Sequence, residues 1–324
     1  MTSKDALPAG YPFASDPEEA SSQVDGESLP LVAPNNGAFA STPSHAAPRV
    51  TQRRLRTIEA RLSDRDLAVL ASVERFRFLT AEHIEALHFN DHASAESGGR
   101  TCRRVLVRLR REHVLGVLNR RVGGVRAGSQ GLVYFVDTAG QRLQQQGGSI
   151  RRGRRFPEPS ARFLDHTLAI ADVAVGIQAA AHALGAEVVQ VAPEKEARRP
   201  FIDRLGDAQV LRPDLYVELA ARPGDEDVQA FFAEIDLGHE SLPTVLRKCQ
   251  QYEAYYQAGI EQRDFGGFPR VVWVMGAYRP DIAERRRQTL QAALAEGVRL
   301  TPELYRVTAA EEVAAQLVQE VRHG

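Results

Sequence analysis

Cysteine, tryptophan and methionine are scarce here, with two, one and two copies among 324 residues. The two cysteines, Cys102 and Cys249, cannot complete a zinc site alone and give no disulfide framework, which fits a reducing cytosol. No apolar run approaches the roughly 18 residues of a membrane span, and the N-terminus lacks the apolar core of a signal peptide. The sequence therefore predicts a cytoplasmic protein with no membrane partner. It also lacks a glycine-rich phosphate loop with its lysine, a nucleophile elbow and any zinc-ligand spacing.

What is present is a globular composition, 43% hydrophobic and 26% charged, in a chain long enough for about two domains at ~150 residues each. The net charge of −1 averages unlike parts: −4 over residues 1–50, +11 over 51–162 and −8 over 163–324. Residues 1–50 are rich in Pro, Ser, Ala, Gly and Asn without periodicity, the composition of a disordered tail.

Residues 51–147 read as the first folded unit. Ser63 caps a helix carrying Leu67, Leu70, Val73 and Phe76, and Thr80 caps a second with Ile84, Leu87 and Phe89 inward. A third helix spans Thr101 to His113, with Val105, Leu106 and Leu109 inward. Two short strands follow, Leu115 to Leu118 and Leu132 to Val136, around a basic, glycine-rich tip. Three helices and then such a hairpin is the order of a winged helix-turn-helix, whose third helix enters the DNA major groove.

The outer face of the third helix and its entry carries Arg100, Arg103, Arg104, Arg108, Arg110 and Arg111, and the hairpin tip adds Arg120, Arg121 and Arg126. Most charge runs are solvated faces. A solvated face usually mixes signs, however, and this one does not, which favours a double-stranded DNA partner. Residues 148–160 form a basic linker with Arg151, Arg152, Arg154 and Arg155.

Residues 161–324 predict the order α-β-β-β-α-β-α, a mixed sheet with helices on both faces. The strand at 270–275 is apolar on both sides and is expected to be central. Two of the other strands flank the polar segment 221–227. A loop symmetric about Gly224 pairs residues whose numbers sum to 448, so Asp214 faces Glu234 and Arg212 faces Asp236. Period-2 alternation puts Glu234 and Asp236 on one face.

Clustered carboxylates at strand level suit a hard cation such as Mg²⁺, which activates water and stabilises the leaving oxygen of a phosphodiester. Lys248, on the helix after the hairpin, is the nearest cation, though a lysine beside an apolar stripe is more often a snorkelling surface residue. His166 shares a face with Phe163, Ile170, Val173 and Ile177 and is expected to point at the sheet. Asp165 and Asp172 read as capping or solvated. Glu194, after the first strand, is either a further ligand or part of a Glu-Lys-Glu surface run, and His239 and Glu240, in the turn after Asp236, are near enough to the carboxylates to matter, although a turn accepts such residues freely.

Pro213-Asp214 followed by Glu234-Ile235-Asp236 after a hairpin resembles the PD-(D/E)xK nuclease-like superfamily. Joined to an N-terminal winged helix, the stretch from about Leu62 to Leu294 resembles the replication-relaxation family of plasmids and integrative elements. The resemblance implies a winged helix followed by a restriction-endonuclease-like mixed α/β domain. It also implies Mg²⁺- or Mn²⁺-dependent DNA cleavage, with Asp214 and Glu234 as metal ligands. Asp236 stands where the superfamily has lysine. Either Lys248 substitutes from the helix, with Arg212 as a further candidate, or the domain is degenerate. A degenerate domain would make the protein a non-catalytic regulator or adaptor, using it for homodimerisation or for docking partners encoded on the same element.

Overall fold

The computed structural model describes residues 50–91, 94–118, 131–145, 158–276, 279–297 and 299–323. Residues 47–324 form one compact unit. The expected tail, wing tip and basic linker lie almost wholly outside the described residues, and Arg120, Arg121 and Arg126 with them.

Helix α1 (Gln52–Glu59) lies within the first folded unit but ahead of the first predicted helix, which Ser63 caps. Helix α2 (Asp64–Phe76) starts at the expected cap: the Ser63 hydroxyl accepts the Asp66 N–H at 3.3 Å, and the Asp66 carboxylate accepts the Ser63 N–H at 2.8 Å. The short strand β1 (Leu79–Thr80) leads into α3 (Ala81–His88), capped by Thr80. Helix α4 (Ala95–Arg111) begins earlier than predicted. Gly98 and Gly99, which read as loop, are buried inside it, and a side chain at Gly99 would press on Glu85 of α3 at about 3.0 Å. Strands β2 (Leu115–Val117) and β3 (Val133–Val136) pair antiparallel, β1 joins the far side of β3, and α5 (Thr138–Gln144) follows.

Helix α6 (Ala161–Leu184) ends on Gly185, whose φ of 72° suits a left-handed cap. By length and composition this helix could cross a membrane. That corrects the expectation drawn from uninterrupted apolar runs, which Asp165, His166 and Asp172 break up. In the structure Leu164, Leu168, Ile170, Ala174 and Ile177 are buried in the protein core.

Five strands form the main sheet: β4 (Glu187–Pro193), β7 (Leu215–Ala220), β8 (Val228–Asp236), β9 (Arg270–Met275) and β10 (Tyr305–Thr308). Their order is β10-β9-β8-β7-β4, with β8, β9 and β10 parallel and β7 antiparallel to both its neighbours. The strand at 270–275 is interior and buried as expected, because the unforeseen β10 covers its outer edge, and β8 holds the centre. A separate hairpin, β5 (Arg199–Ile202) with β6 (Ala208–Leu211), interrupts the predicted order.

Helices α7 (Leu242–Ala258) and α9 (Pro280–Glu296) cover one face of the sheet, with the short α8 (Ile260–Phe265) following α7. Helix α6 and the unforeseen α10 (Val313–His323) cover the other. Alternation along β8 sorts the two cores. Phe231, Ala233 and Ile235 pack with Ile170, Ala174, Leu317 and Val318, whereas Phe232 packs with Val245, Cys249, Tyr252 and Leu290. The first of these cores is continuous with that of α1 to α5.

Candidate functional site

The β7–β8 register follows the predicted sum, from Leu215 opposite Ala233 to Ala220 opposite Val228. Asp214 lies one residue beyond the last pair. Its Oδ2 accepts the Ile235 N–H at 2.8 Å, so a backbone bond secures it beside Glu234. Its Oδ1 lies 3.3 Å from Nε2 of His166 on α6, which therefore does reach the sheet. The arithmetic fails at Arg212. Pairing with β8 stops at Leu215, Arg212 is exposed, and Asp236 turns instead to the guanidinium of Arg286 on α9, which also donates to the Glu240 carbonyl at 2.8 Å.

Glu234 faces α7 and its side chain is 1% exposed. Lys248 donates to one carboxylate oxygen and the Tyr252 hydroxyl to the other. Lys248 and Tyr252 are four residues apart, so one helical face delivers both. Lys248 is thus an inward-turned partner of the carboxylates. Burial pushes the Glu234 carboxyl up to about 8, more than the charge of Lys248 pulls it down. Burial also works against the Lys248 ammonium, but Glu234 and Asp214 outweigh it and hold it above its usual range. Asp214 loses some ionisation to burial and regains more from His166 and Lys248, so its carboxyl stays below the ordinary value. The hydrogen bond to Asp214 raises His166 in turn.

All four carboxylate oxygens of Asp214 and Glu234 are therefore engaged by protein donors. Among the described residues no three His, Cys, Asp or Glu side chains converge as metal ligands. A hard cation needs carboxylate oxygens directly, and Lys248 already supplies the positive charge at Glu234. As arranged, Lys248 and Tyr252 hold the Glu234 oxygens that a divalent cation would take.

The sequence signals missed two partners. Tyr252 sits in the apolar stripe of α7 and looks like ordinary core, and Arg286 lies within an arginine run that gives no sign of which member turns inward. The nearby candidates have structural partners. The Glu194 N–H donates to the Asp214 carbonyl at 2.8 Å and its carboxylate pairs with Arg77 at 3.3 Å, while the His239 carbonyl accepts from Arg162 at 3.5 Å. Asp172, expected to cap or to be solvated, is exposed and also meets His83 of α3 at 2.7 Å.

On α4, Arg103, Arg104 and Arg110 are exposed with no ion-pair partner among the described residues. Arg100 and Arg111 are exposed beside Glu96 and Glu112, at 3.6 and 3.7 Å. Arg108 differs: it reaches 2.6 Å to Asp66, the buried member of the α2 capping box, and so ties α4 to α2.

An arginine-faced helical unit joined to a mixed sheet with a carboxylate–lysine cluster defines the class. The chain belongs to the replication-relaxation family, whose model matches residues 70–271, well over half of its length. That span runs from α2 into β9 and includes α4, Asp214, Glu234 and Lys248. No curated protein and no solved structure matches the chain significantly.

Proposed function

We propose that the protein binds double-stranded DNA through the exposed face of α4 and acts in the replication or relaxation of a plasmid or integrative element. The observation that carries this reading is Arg103, Arg104 and Arg110, exposed on one helix and without an ion-pair partner among the described residues. Arginines so placed neutralise backbone phosphates and release counterions, a gain that any duplex provides. Helices α2 to α4 and strands β1 to β3 serve as a winged helix that presents α4 to the groove. The closed cluster of Asp214, Glu234, Lys248 and Tyr252 stiffens the sheet, so the protein works as a regulator or adaptor. Wild type should bind labelled duplex, and the Arg103→Ala/Arg104→Ala double variant should bind it several-fold more weakly. Equal binding by the two would overturn the reading.

A second reading, phosphodiester cleavage, is favoured by one observation: Lys248 reaches Glu234 from α7, next to Asp214. In it, Asp214 and Glu234 would hold Mg²⁺ or Mn²⁺, and Lys248 would have to leave Glu234 first. Incubating supercoiled plasmid with either metal decides between the two. Nicking by wild type that Asp214→Ala abolishes supports cleavage, and an intact plasmid removes it.

A further inference from the structure

We propose that α1 is a second phosphate-backbone contact, continuous with the arginine face of α4, so that the protein grips a longer stretch of duplex than α4 alone reaches. This rests on the DNA-binding reading above. Leu55 and Ile58 are buried and fix the helix to the core. Successive residues turn by about 100°, which puts Arg53 and Arg56 on the side opposite Leu55 and Ile58. Arg61 follows just beyond the helix end. All three are exposed, and among the described residues none is paired with a carboxylate.

The position of α1 is fixed from two sides. Arg142 of α5 donates to the Val50 carbonyl and, at 2.7 Å, to Oε1 of Gln52. Arg54 lies 3.9 Å from Glu112, the residue that caps α4 directly after Arg110 and Arg111. The Arg54 contact thus sets α1 beside the C-terminal end of α4, where Arg110 and Arg111 lie. An arginine-rich surface of this kind, built on a helix held by its own buried side chains, complements the evenly spaced charges of a phosphate backbone.

The test uses the full chain and labelled duplexes of two unrelated sequences, with affinity measured across a NaCl series. Replacing Arg53, Arg56 and Arg61 together with Ala should reduce the slope of log affinity against log salt by about 0.9 for each phosphate that the variant leaves unneutralised, equally on both sequences. Replacing all three with Lys keeps the charge and should restore the slope, which separates missing charge from a weakened helix. If the Ala variant keeps the wild-type slope while Arg103→Ala/Arg104→Ala flattens it, α1 does not touch DNA and the function stands. A Lys variant as flat as the Ala variant also overturns the inference. If wild type binds neither duplex, the function and this inference fall together.

Discussion

Glu234 occupies a position on β8 where packing alone would favour a hydrocarbon, and Lys248 and Tyr252 make a carboxyl tolerable there. Removing one partner of a buried pair typically costs about 3–5 kcal/mol, because the other charge stays buried alone. Burial pushes the Glu234 carboxyl up to about 8, so the penalty depends on pH. Lys248→Met should destabilise by about 3 kcal/mol above pH 8, where Glu234 is ionised, and by less at pH 6, where it holds its proton. Urea denaturation at both pH values checks this, and an equal loss at both would contradict the assignment. His166 and Asp214 give a second titration signature. The raised His166 contributes stability that is complete below its ordinary value of 6.5 and lost as pH rises through its folded value, while the lowered Asp214 contributes above 3.8 and loses its share as pH falls. The stability gap between wild type and His166→Ala should be widest between those limits and narrow above 6.5; a gap flat with pH would remove the ion pair. The meeting of Asp214 and Glu234 was legible, because two apolar strands around a polar loop with Gly224 at φ 77° fix the register. Their partners were not, since whether His166, Lys248 and Tyr252 turn inward depends on how α6 and α7 dock on the sheet.

At the level of elements, α4 combines two kinds of arginine that sequence alone could not separate. Arg108 is half-buried against Asp66, so Arg108→Ala should lower stability by about 1–3 kcal/mol by leaving a buried carboxylate short of a donor. Arg104→Ala should leave stability within about 0.5 kcal/mol and weaken DNA binding. Thermal melts and binding isotherms of the two variants should give opposite patterns, and matching patterns would contradict the division. Helix α5 depends on a close approach: a Cβ at Gly140 would lie 2.3 Å from the Val114 carbonyl oxygen. Gly140→Ala should therefore destabilise by about 1–3 kcal/mol, measurable as a lower urea midpoint, although alanine is the better helix former. The caps at Ser63 and Thr80 were readable because side-chain chemistry specifies them locally. Helix α1 was not, because Leu55 and Ile58 are its only buried residues among arginines and show too little periodicity. The β5–β6 hairpin was hidden for a similar reason: Phe201 and Leu211 are buried while Ile202 and Val210 are exposed, so its pattern is weak and Leu211 reads as part of the next strand.

Across the whole molecule, the helical unit and the sheet share one core. A hydrogen bond of His83 with Asp172 and ion pairs of Arg75 with Glu196 and Arg77 with Glu194 also join them. The sequence showed a basic region followed by an acidic one but not this union, because the joining residues are ordinary surface charges until the fold brings them together. Helix α4 thus belongs to the same compact unit as the sheet. The most direct test of the claim that α4 is the DNA-contacting element is the salt dependence of duplex affinity for wild type and for Arg103→Ala/Arg104→Ala. A wild-type log–log slope that is steeply negative, and shallower by about 2 in the variant, is the predicted result. Identical slopes, or a wild type that does not bind duplex, would contradict it.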